Sequence, residues 1–490
     1  MILALIIMPA VAGAAALILR SPALCRGLLI TAAVLHLGLV AACHWARPVA
    51  DPAGWLALDA LGLLFLSISS VLFLFASIYR VGSTRQDVQR RDFEEGFFFT
   101  STPESIFCGC MLFFLSTMTL VCASQQSGLL WIAIEATTLA SAPLIYFHRH
   151  RRSLEAAWKY LLICSVGIAL ALLGNFFLAV AVSGAGGDAP LVLGSLLYKA
   201  RAGVIDPLWL KAAFLLFLVG YGTKMGLAPM HTWLPDAHSE SPSSVSALLS
   251  GALLNCSFLG ILRAHQVLSA AGEAEFGGGL LVGFGLLSMA VAGVFILGQR
   301  DYKRMLAYSS VEHMGILSVG VGLGGAAIFG AMFHSIGHSF AKAMLFLTAG
   351  NILTAYRTKN ASEVRGLVRM LPATGVLWVL GFLAITGMPP FSTFLSEFTI
   401  LMGALGQGRW IVAAAYLLFI AVVFIGMMQT MMGMAQGEGS ACRVGAGRRE
   451  ALLSVLPPAA LIAVVFALGL AIPGGLERLL VEAAQALGGG

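Results

Sequence analysis

Six side chains able to load and release protons stand inside long apolar runs of this sequence, where such groups are rare. Glu135 lies in LLWIAIEATTLASAPL, Lys224 in LVGYGTKMGLAPMHTWLPDAH and Glu397 in LAITGMPPFSTFLSEFTILMGAL. His334, His338 and Lys342 recur every four positions in GAMFHSIGHSFAKAMLFLTAG. Four residues advance an α-helix by about 400°, so these three form a slanted stripe on one helix face. An ionisable group at bilayer depth costs roughly 3 kcal/mol on insertion scales, so it needs a partner or a water-filled cavity and marks a functional position by default. For Glu135 the alternative is a neutral carboxyl that packs helices, a role that Gln or Ser fills at lower cost. For Lys224 it is snorkelling to the surface, which a central position disfavours. Histidine titrates near neutral pH, so the stripe reads as a proton relay with bound water. Satisfied core histidines or a metal pair are the alternatives, although no Glu follows His334 as a zinc-protease helix requires. Lys159 follows Glu155 by four residues, and that spacing fits a plain boundary ion pair as well as a functional lysine.

The helices that carry Lys224 and Glu397 are expected to be interrupted. Gly226 and Pro229 follow Lys224, while Gly387, Pro389 and Pro390 precede Glu397. Broken helices at membrane depth are tolerated where they line a protein-enclosed cavity, and there they commonly build ion sites. Aligning Pro229 with Pro390 pairs GLAPMHTWLPD with GMPPFSTFLSE, matching Gly226 to Gly387 and Asp236 to Glu397. The two breaks lie five predicted helices apart. An odd offset turns the second copy upside down in the membrane, the architecture of an inverted repeat. Lys224 aligns with Ile385, so the charges are not simply duplicated.

Composition supports this setting. Of 490 residues, 59% are hydrophobic and 11% charged, against about 25% charged in soluble domains. About fourteen runs are long enough to span a bilayer: 1–20, 24–45, 56–79, 105–124, 126–147, 155–183, 207–234, 243–268, 277–298, 302–323, 325–356, 371–405, 410–434 and 451–472. The chain is therefore expected to be an all-α integral membrane protein, with a short amphipathic or disordered tail at 473–490. The first run has no small-residue cleavage site leading into a soluble domain and reads as a retained helix. Of the 29 Lys and Arg residues, 19 fall on loops after odd-numbered runs, Arg90, Arg91, Arg443, Arg448 and Arg449 among them, and 7 on the opposite side. The positive-inside rule places the first set in the cytoplasm and both termini outside. The net charge of +6 is spread over short loops, which gives no nucleic-acid surface. The eight cysteines are scattered and read as packing residues, Cys108 and Cys110 being the only close pair. No haem motif, iron–sulfur spacing, phosphate loop or nucleophile elbow is present, so no metal or cofactor is expected in this chain.

Glu135 in its helix, Lys224 in TKMGLAPMHTWLPDAH, and QRDYKRMLAYSSVEHMG at 299–315 resemble the antiporter-like proton-channel subunits of respiratory complex I, multisubunit cation/proton antiporters and membrane-bound hydrogenases. The resemblance runs from about Asp59 to about residue 430. Within that family, WIAIEATTL, SLEAAWKYLLICSVG, LPDAHSESPSSVSALLSGALLNC and GMPPFSTFLSEF are most similar to the hydrogenase-4 branch, which belongs to formate hydrogenlyase-type complexes. The resemblance implies fourteen helices: an N-terminal part at 1–104, inverted five-helix repeats at about 105–268 and 277–434, and a C-terminal helix and tail at 435–490. It implies that Glu135 pairs with Lys224, that His334, His338 and Lys342 form a central relay, and that Glu397 serves the far channel. Lys159, Asn255, His231, Asp236, His238 and His313 are then supporting positions. Where complex I subunits usually carry a lysine in the eighth helix, this sequence has Asn255, as do the hydrogenase-type relatives. That leaves a gap for water or Asn255 itself to bridge. The implied partners are other membrane subunits and a peripheral redox module, a nickel–iron hydrogenase with iron–sulfur subunits, in a bacterial cytoplasmic (inner) membrane. The transported ion is the proton, with Na⁺ as an open alternative. A complex I or cation-antiporter subunit is the rival within the family. A stand-alone solute transporter would use the same repeats and breaks, and a mere membrane anchor would not need the buried charges.

Overall fold

The computed structural model describes residues 1–87, 103–183, 190–437 and 450–489, with only the helical backbone of 84–87. The loop cations Arg90, Arg91, Arg443, Arg448 and Arg449 lie outside the described residues. Every described element is helical: α1 (Ile2–Ile18), α2 (Pro22–Trp45), α3 (Ala60–Asp87), α4 (Glu104–Ala123), α5 (Ser127–Ile145), α6 (Arg151–Ser183), α7 (Leu193–Arg201), α8 (Pro207–Met225), α9 (Trp233–Glu240), α10 (Ser243–Leu248), α11 (Leu254–Ala270), α12 (Ala274–Ile296), α13 (Tyr302–Leu323), α14 (Ala326–Tyr356), α15 (Leu367–Met370), α16 (Pro372–Ile385), α17 (Ser392–Gly406), α18 (Trp410–Ala435), α19 (Leu452–Leu470) and α20 (Gly474–Gln485). Among them, ten helical stretches are long and apolar enough to cross a bilayer, and α1 and α16 are shorter apolar helices. The chain is a multi-pass, all-helical membrane protein. α13 and α14 are long but polar in their middles, and they are buried almost throughout. Neighbouring helices thus screen their ionisable groups from lipid.

Several boundaries differ from the expected ones, for local reasons. α3 starts at Ala60 because Asp59 Oδ1 accepts the Gly62 N–H at 3.0 Å and caps the helix. α6 starts four residues early, where the His150 and Ser153 side chains each accept the other's backbone N–H, at 3.0 and 3.1 Å. The expected tail is the amphipathic helix α20. The short amphipathic helix α7, between α6 and α8, was not legible in the sequence.

Both expected helix breaks are present, and their backbones match residue for residue. Gly226 and Gly387 adopt positive φ (85° and 65°), where glycine meets no Cβ penalty. At the first break the N–H groups of Gly226 and Leu227 donate to Thr223 and Gly222, at 3.3 and 2.9 Å. At the second, those of Gly387 and Met388 donate to Ala384 and Leu383, at 3.3 and 3.0 Å. A cis X–Pro bond follows in each, at Ala228–Pro229 and Pro389–Pro390. The Thr223 and Ala384 carbonyls also accept the Trp233 indole N–H and the Thr393 hydroxyl, respectively.

Ion pairs tie the loops into two separate ends. Arg26 and Arg80 meet Glu104, His150 and Lys359 meet Glu240, and Lys159 and Arg304 meet Asp236 at one end. Arg263 meets Asp59, Lys211 meets Glu273 and Arg47 meets Glu482 at the other. Among the described residues, these pairs gather residues at or beside the loops expected after odd-numbered runs at one end and those expected after even-numbered runs at the other.

Candidate functional site

Lys224, fully buried near the end of α8, is held by α5. Its Nζ donates to the Ile134 carbonyl at 3.1 Å and to the Thr138 hydroxyl. The Thr138 hydroxyl donates in turn to Glu135 Oε2 at 3.1 Å. The Glu135–Lys224 pair is therefore not a direct ion pair: Thr138 stands between the two groups. Glu135 lies eight residues into α5, about 12 Å along its axis, on a half-exposed flank between Ile132 and Leu139. The Tyr160 ring centroid is 5.5 Å from the ammonium. Thr138 was missed at the level of sequence, although its offset of three from Glu135 places both on one face. A hydrogen bond to a charged group contributes about 1.5–3 kcal/mol, so on the proton-relay expectation drawn from the sequence Thr138→Val should slow proton movement about tenfold or more. Thr138→Ser should stay close to wild type. Proton uptake by vesicles carrying each variant checks this.

Asn255 lies two residues beyond a π-helical stretch, Leu249–Leu253, which joins α10 to α11. Gly251 in that stretch sits so close to α14 that a Cβ would come within 2.9 Å of the Ser339 carbonyl. That approach lets Asn255 Nδ2 donate to the Ser339 hydroxyl at 2.8 Å, next to His338 on the stripe. Among the described residues, Asn255 Oδ1 is buried without a protein partner, as are His313 Nε2 and both ring nitrogens of His338. Buried polar atoms are rarely left unsatisfied, so these positions fit bound water.

The stripe of α14 is buried, and α13 joins it. His313 Nδ1 and His334 Nε2 are 2.9 Å apart, and His334 Nδ1 meets the Ser396 hydroxyl of α17 at 2.9 Å. His313 and His338 ring centroids are 5.0 Å apart, so three imidazoles cluster here. Lys342 Nζ donates to the Leu306 carbonyl of α13 at 2.9 Å. The Glu397 carboxyl is seated against Gly387, where a Cβ would meet it at 2.1 Å. That position needs glycine for space as well as for φ. The nearest ligand atoms of His313, His334 and Glu397 lie within 4.8 Å of one another, a grouping that could hold a metal and that the sequence did not signal. The His313 and His334 nitrogens already face each other, and a metal would have to part them. Glu312, beside His313, is a buried carboxyl that sequence reasoning also passed over, despite its place at the centre of an apolar run.

The other supporting positions are not part of this cluster. Lys159 is largely exposed and forms ion pairs with Glu155 (2.7 Å) and Asp236 (2.9 Å), with Arg304 completing a network at the bundle end. This is the boundary-pair alternative. His231 lies in the turn of the first break, with its ring 6.1 Å from that of Tyr308. His238 is buried against Phe346, with ring centroids 4.7 Å apart, and its nitrogens have no protein partner among the described residues.

A family model described as NADH:quinone oxidoreductase/Mrp antiporter, transmembrane, matches residues 124–425. A hydrogenase-4 component F homolog of Methylacidiphilum infernorum (isolate V4) is 38% identical over 330 residues, covering 66% of this chain and 69% of that protein. Hydrogenase-4 component B of Escherichia coli (strain K12) is 29% identical over 376 residues, covering 74% of this chain but only 53% of that protein. A chain of the membrane-bound sulfane sulfur reductase, an archaeal respiratory membrane complex, has a TM-score of 0.86 at 19% identity, with 100% and 98% coverage of this chain and of that one. A chain of the Mrp complex from Dietzia sp. DQ12-45-1b gives 0.83 at 20% identity, with 99% and 96% coverage. At such identities the likeness to solved structures shows the fold alone.

Proposed function

Because the chain belongs to the NADH:quinone oxidoreductase/Mrp antiporter family of membrane subunits, we propose that it translocates protons within a membrane-bound redox complex of the nickel–iron hydrogenase, formate hydrogenlyase type. The observation that supports this reading is a set of ionisable and polar groups inside the bundle, buried except for the partly exposed Glu135. It comprises the linked Glu135, Thr138 and Lys224, then Asn255 bonded to Ser339 of the helix that carries the stripe, and the grouping of His313, His334 and Glu397. The hydrogenase assignment within the family rests on the component F homolog and on Asn255 in the eighth span. In this reading α1, α13, α14 and the α16–α17 pair bring the ten long spans to fourteen crossings. The two broken helices belong to inverted repeats at 105–268 and 277–434. The end that gathers Arg26, Arg80 and Lys359 faces the cytoplasm.

Redox chemistry in partner subunits would shift Lys224 between its Thr138-bridged position and direct contact with Glu135. With an effective dielectric constant of about 20, unit charges about 4 Å apart attract by about 4 kcal/mol, and doubling the distance removes about half of that. Moving one charge across 100 mV costs about 2.3 kcal/mol, so one such displacement is of the right size to drive one proton. The test is to purify the chain with its partners, reconstitute the complex in liposomes and follow internal pH during electron transfer. Uncoupler-sensitive pumping, with a nickel–iron hydrogenase module among the co-purified subunits, is the expected result. A flavin/NADH module, or only small membrane subunits, would reassign the complex. Substrate-driven solute flux by the lone chain would overturn the reading.

A further inference from the structure

Tyr221, one turn before Lys224 on α8, lines the inner end of a cavity that reaches the bundle end holding the Asp59–Arg263 pair. Its lining follows α8 from Leu210 to Tyr221, about 16 Å along the helix axis. The walls are mostly apolar, and the rim is the α4–α5 turn with Ser124, Gln126 and Ser127. Gln125 Nε2 ties that turn to the Ala57 carbonyl at 3.1 Å. Two polar atoms of the lining residues are buried without a partner among the described residues: the Tyr221 hydroxyl and Arg263 Nε. Tyr221 is 1% exposed and Arg263 5%. Asn175 acts on the Tyr221 hydroxyl from outside hydrogen-bonding geometry, and its Oδ1 already accepts the Ser127 hydroxyl. Arg263 Nη1 and Nη2 face the Asp59 carboxylate, so Nε calls for a neutral acceptor rather than an anion. Buried donors are rarely left unsatisfied, and a cavity of about 30 Å³ takes roughly two waters. Water is the ligand that fits.

Side-chain packing alone closes the inner end. The Tyr221 ring stacks on Phe217, with centroids 5.6 Å apart and planes 3° apart, and each ring faces a glycine. A Cβ on Gly174 of α6 would meet Phe217 at 3.0 Å. One on Gly260 of α11 would meet the Tyr221 ring at 2.9 Å and Ile134 Cδ1 at 3.1 Å. Tyr221 and Ile134 are therefore neighbours in front of Gly260. The Ile134 carbonyl in turn takes the Lys224 ammonium at 3.1 Å. One residue of α5 thus touches both the inner end of the cavity and the lysine. Among the described residues no hydrogen bond holds the Tyr221 ring, so a change of rotamer is enough to move it.

We propose that this cavity is a hydrated site through which Lys224 exchanges protons with the Asp59–Arg263 end of the bundle, and that the Tyr221 ring is its gate. With the ring turned aside, an N–H bond of the Lys224 ammonium breaks and an O–H bond forms on a cavity water. A neutral amine stays behind, and the hydronium leaves past Ser124 and Ser127. The reverse exchange recharges the amine. With the ring in place, Lys224 communicates only with Thr138 and Glu135, which keeps a gradient from running back. The inference rests on the proton-translocating reading. Redox-driven pumping tests that reading, whereas the gate is tested without electron transfer, so the two fail separately.

The experiment measures passive proton entry into liposomes holding the purified complex, under an imposed pH difference and without electron transfer. Tyr221→Ala should raise the rate about tenfold or more, while Tyr221→Phe, which keeps the ring, should stay within about twofold of wild type. Adding Lys224→Ala to Tyr221→Ala should remove most of the added leak, which a mere hole in the packing would retain. A tight Tyr221→Ala complex, a leak independent of Lys224, or an equal leak in Tyr221→Phe would overturn the inference. Should Tyr221→Ala not assemble, X-ray radiolytic oxidation of the wild-type complex decides. Tyr221 must then be oxidised much faster than the similarly buried Tyr302, and equal rates would mean a dry cavity and refute the site.

Discussion

Lys224→Ala should abolish redox-driven proton translocation by the assembled complex while leaving the subunits together. The reason lies in the geometry of α5 and α8. Lys224 alone reaches both the Ile134 carbonyl and Thr138, and through Thr138 the Glu135 carboxylate. Alanine deletes the cation that α5 holds, so among the described residues no amine is left beside Thr138 to take a proton from Glu135. A loss of two orders of magnitude in translocation rate corresponds to about 2.7 kcal/mol, within what one lost charge-assisted contact costs. The fold should tolerate the change, since removing a buried ammonium also removes its desolvation cost. Internal pH during electron transfer measures the first effect, and subunit content after purification the second.

The second large effect concerns stability. Arg263 Nη1 and Nη2 meet Asp59 Oδ2 and Oδ1, both at 2.6 Å, in a two-pronged pair that joins α11 to the start of α3. Burial alone would push the Asp59 carboxyl up, but the Arg263 guanidinium, with help from the Gly62 N–H, holds it below the usual carboxylate range. Arg263→Ala strands that carboxylate. Breaking a buried pair costs 3–5 kcal/mol, and the partial exposure of Asp59 reduces this to about 2–3 kcal/mol. The melting temperature in detergent should fall by roughly 5 °C. A carboxyl held low stabilises the fold above its unfolded value near pH 4, and that contribution fades as pH falls through the folded value. The gap between wild type and Arg263→Ala should therefore narrow below about pH 4. A thermal-shift series across pH measures this directly.

Much of this was legible in the sequence because lipid makes rules strict. Apolar runs must be helices, so the order of spans could be read from hydropathy, and a glycine before proline inside such a run forecast both breaks. The stripe at His334, His338 and Lys342 followed from spacing, since four-residue steps keep one face. Side-chain reach was not legible. Nothing in the string says that Thr138, rather than Glu135, would take the Lys224 ammonium, or that Lys159 would turn outward to Asp236. Glu312 went unremarked because it stood beside a histidine in a motif read as a unit. The π-helical stretch before Asn255 is set by the close approach of Gly251 to α14, a tertiary contact without a local signature.

A density map of the assembled complex, fine enough to show ordered water, bears most directly on whether these groups form one path. Water should be found at the unpartnered Oδ1 of Asn255 and at the open nitrogens of His313 and His338, linking Lys224 to Glu397 without a break longer than one hydrogen bond. A dry, close-packed interval between Asn255 and the histidine cluster in every state of the complex would contradict proton passage through this chain.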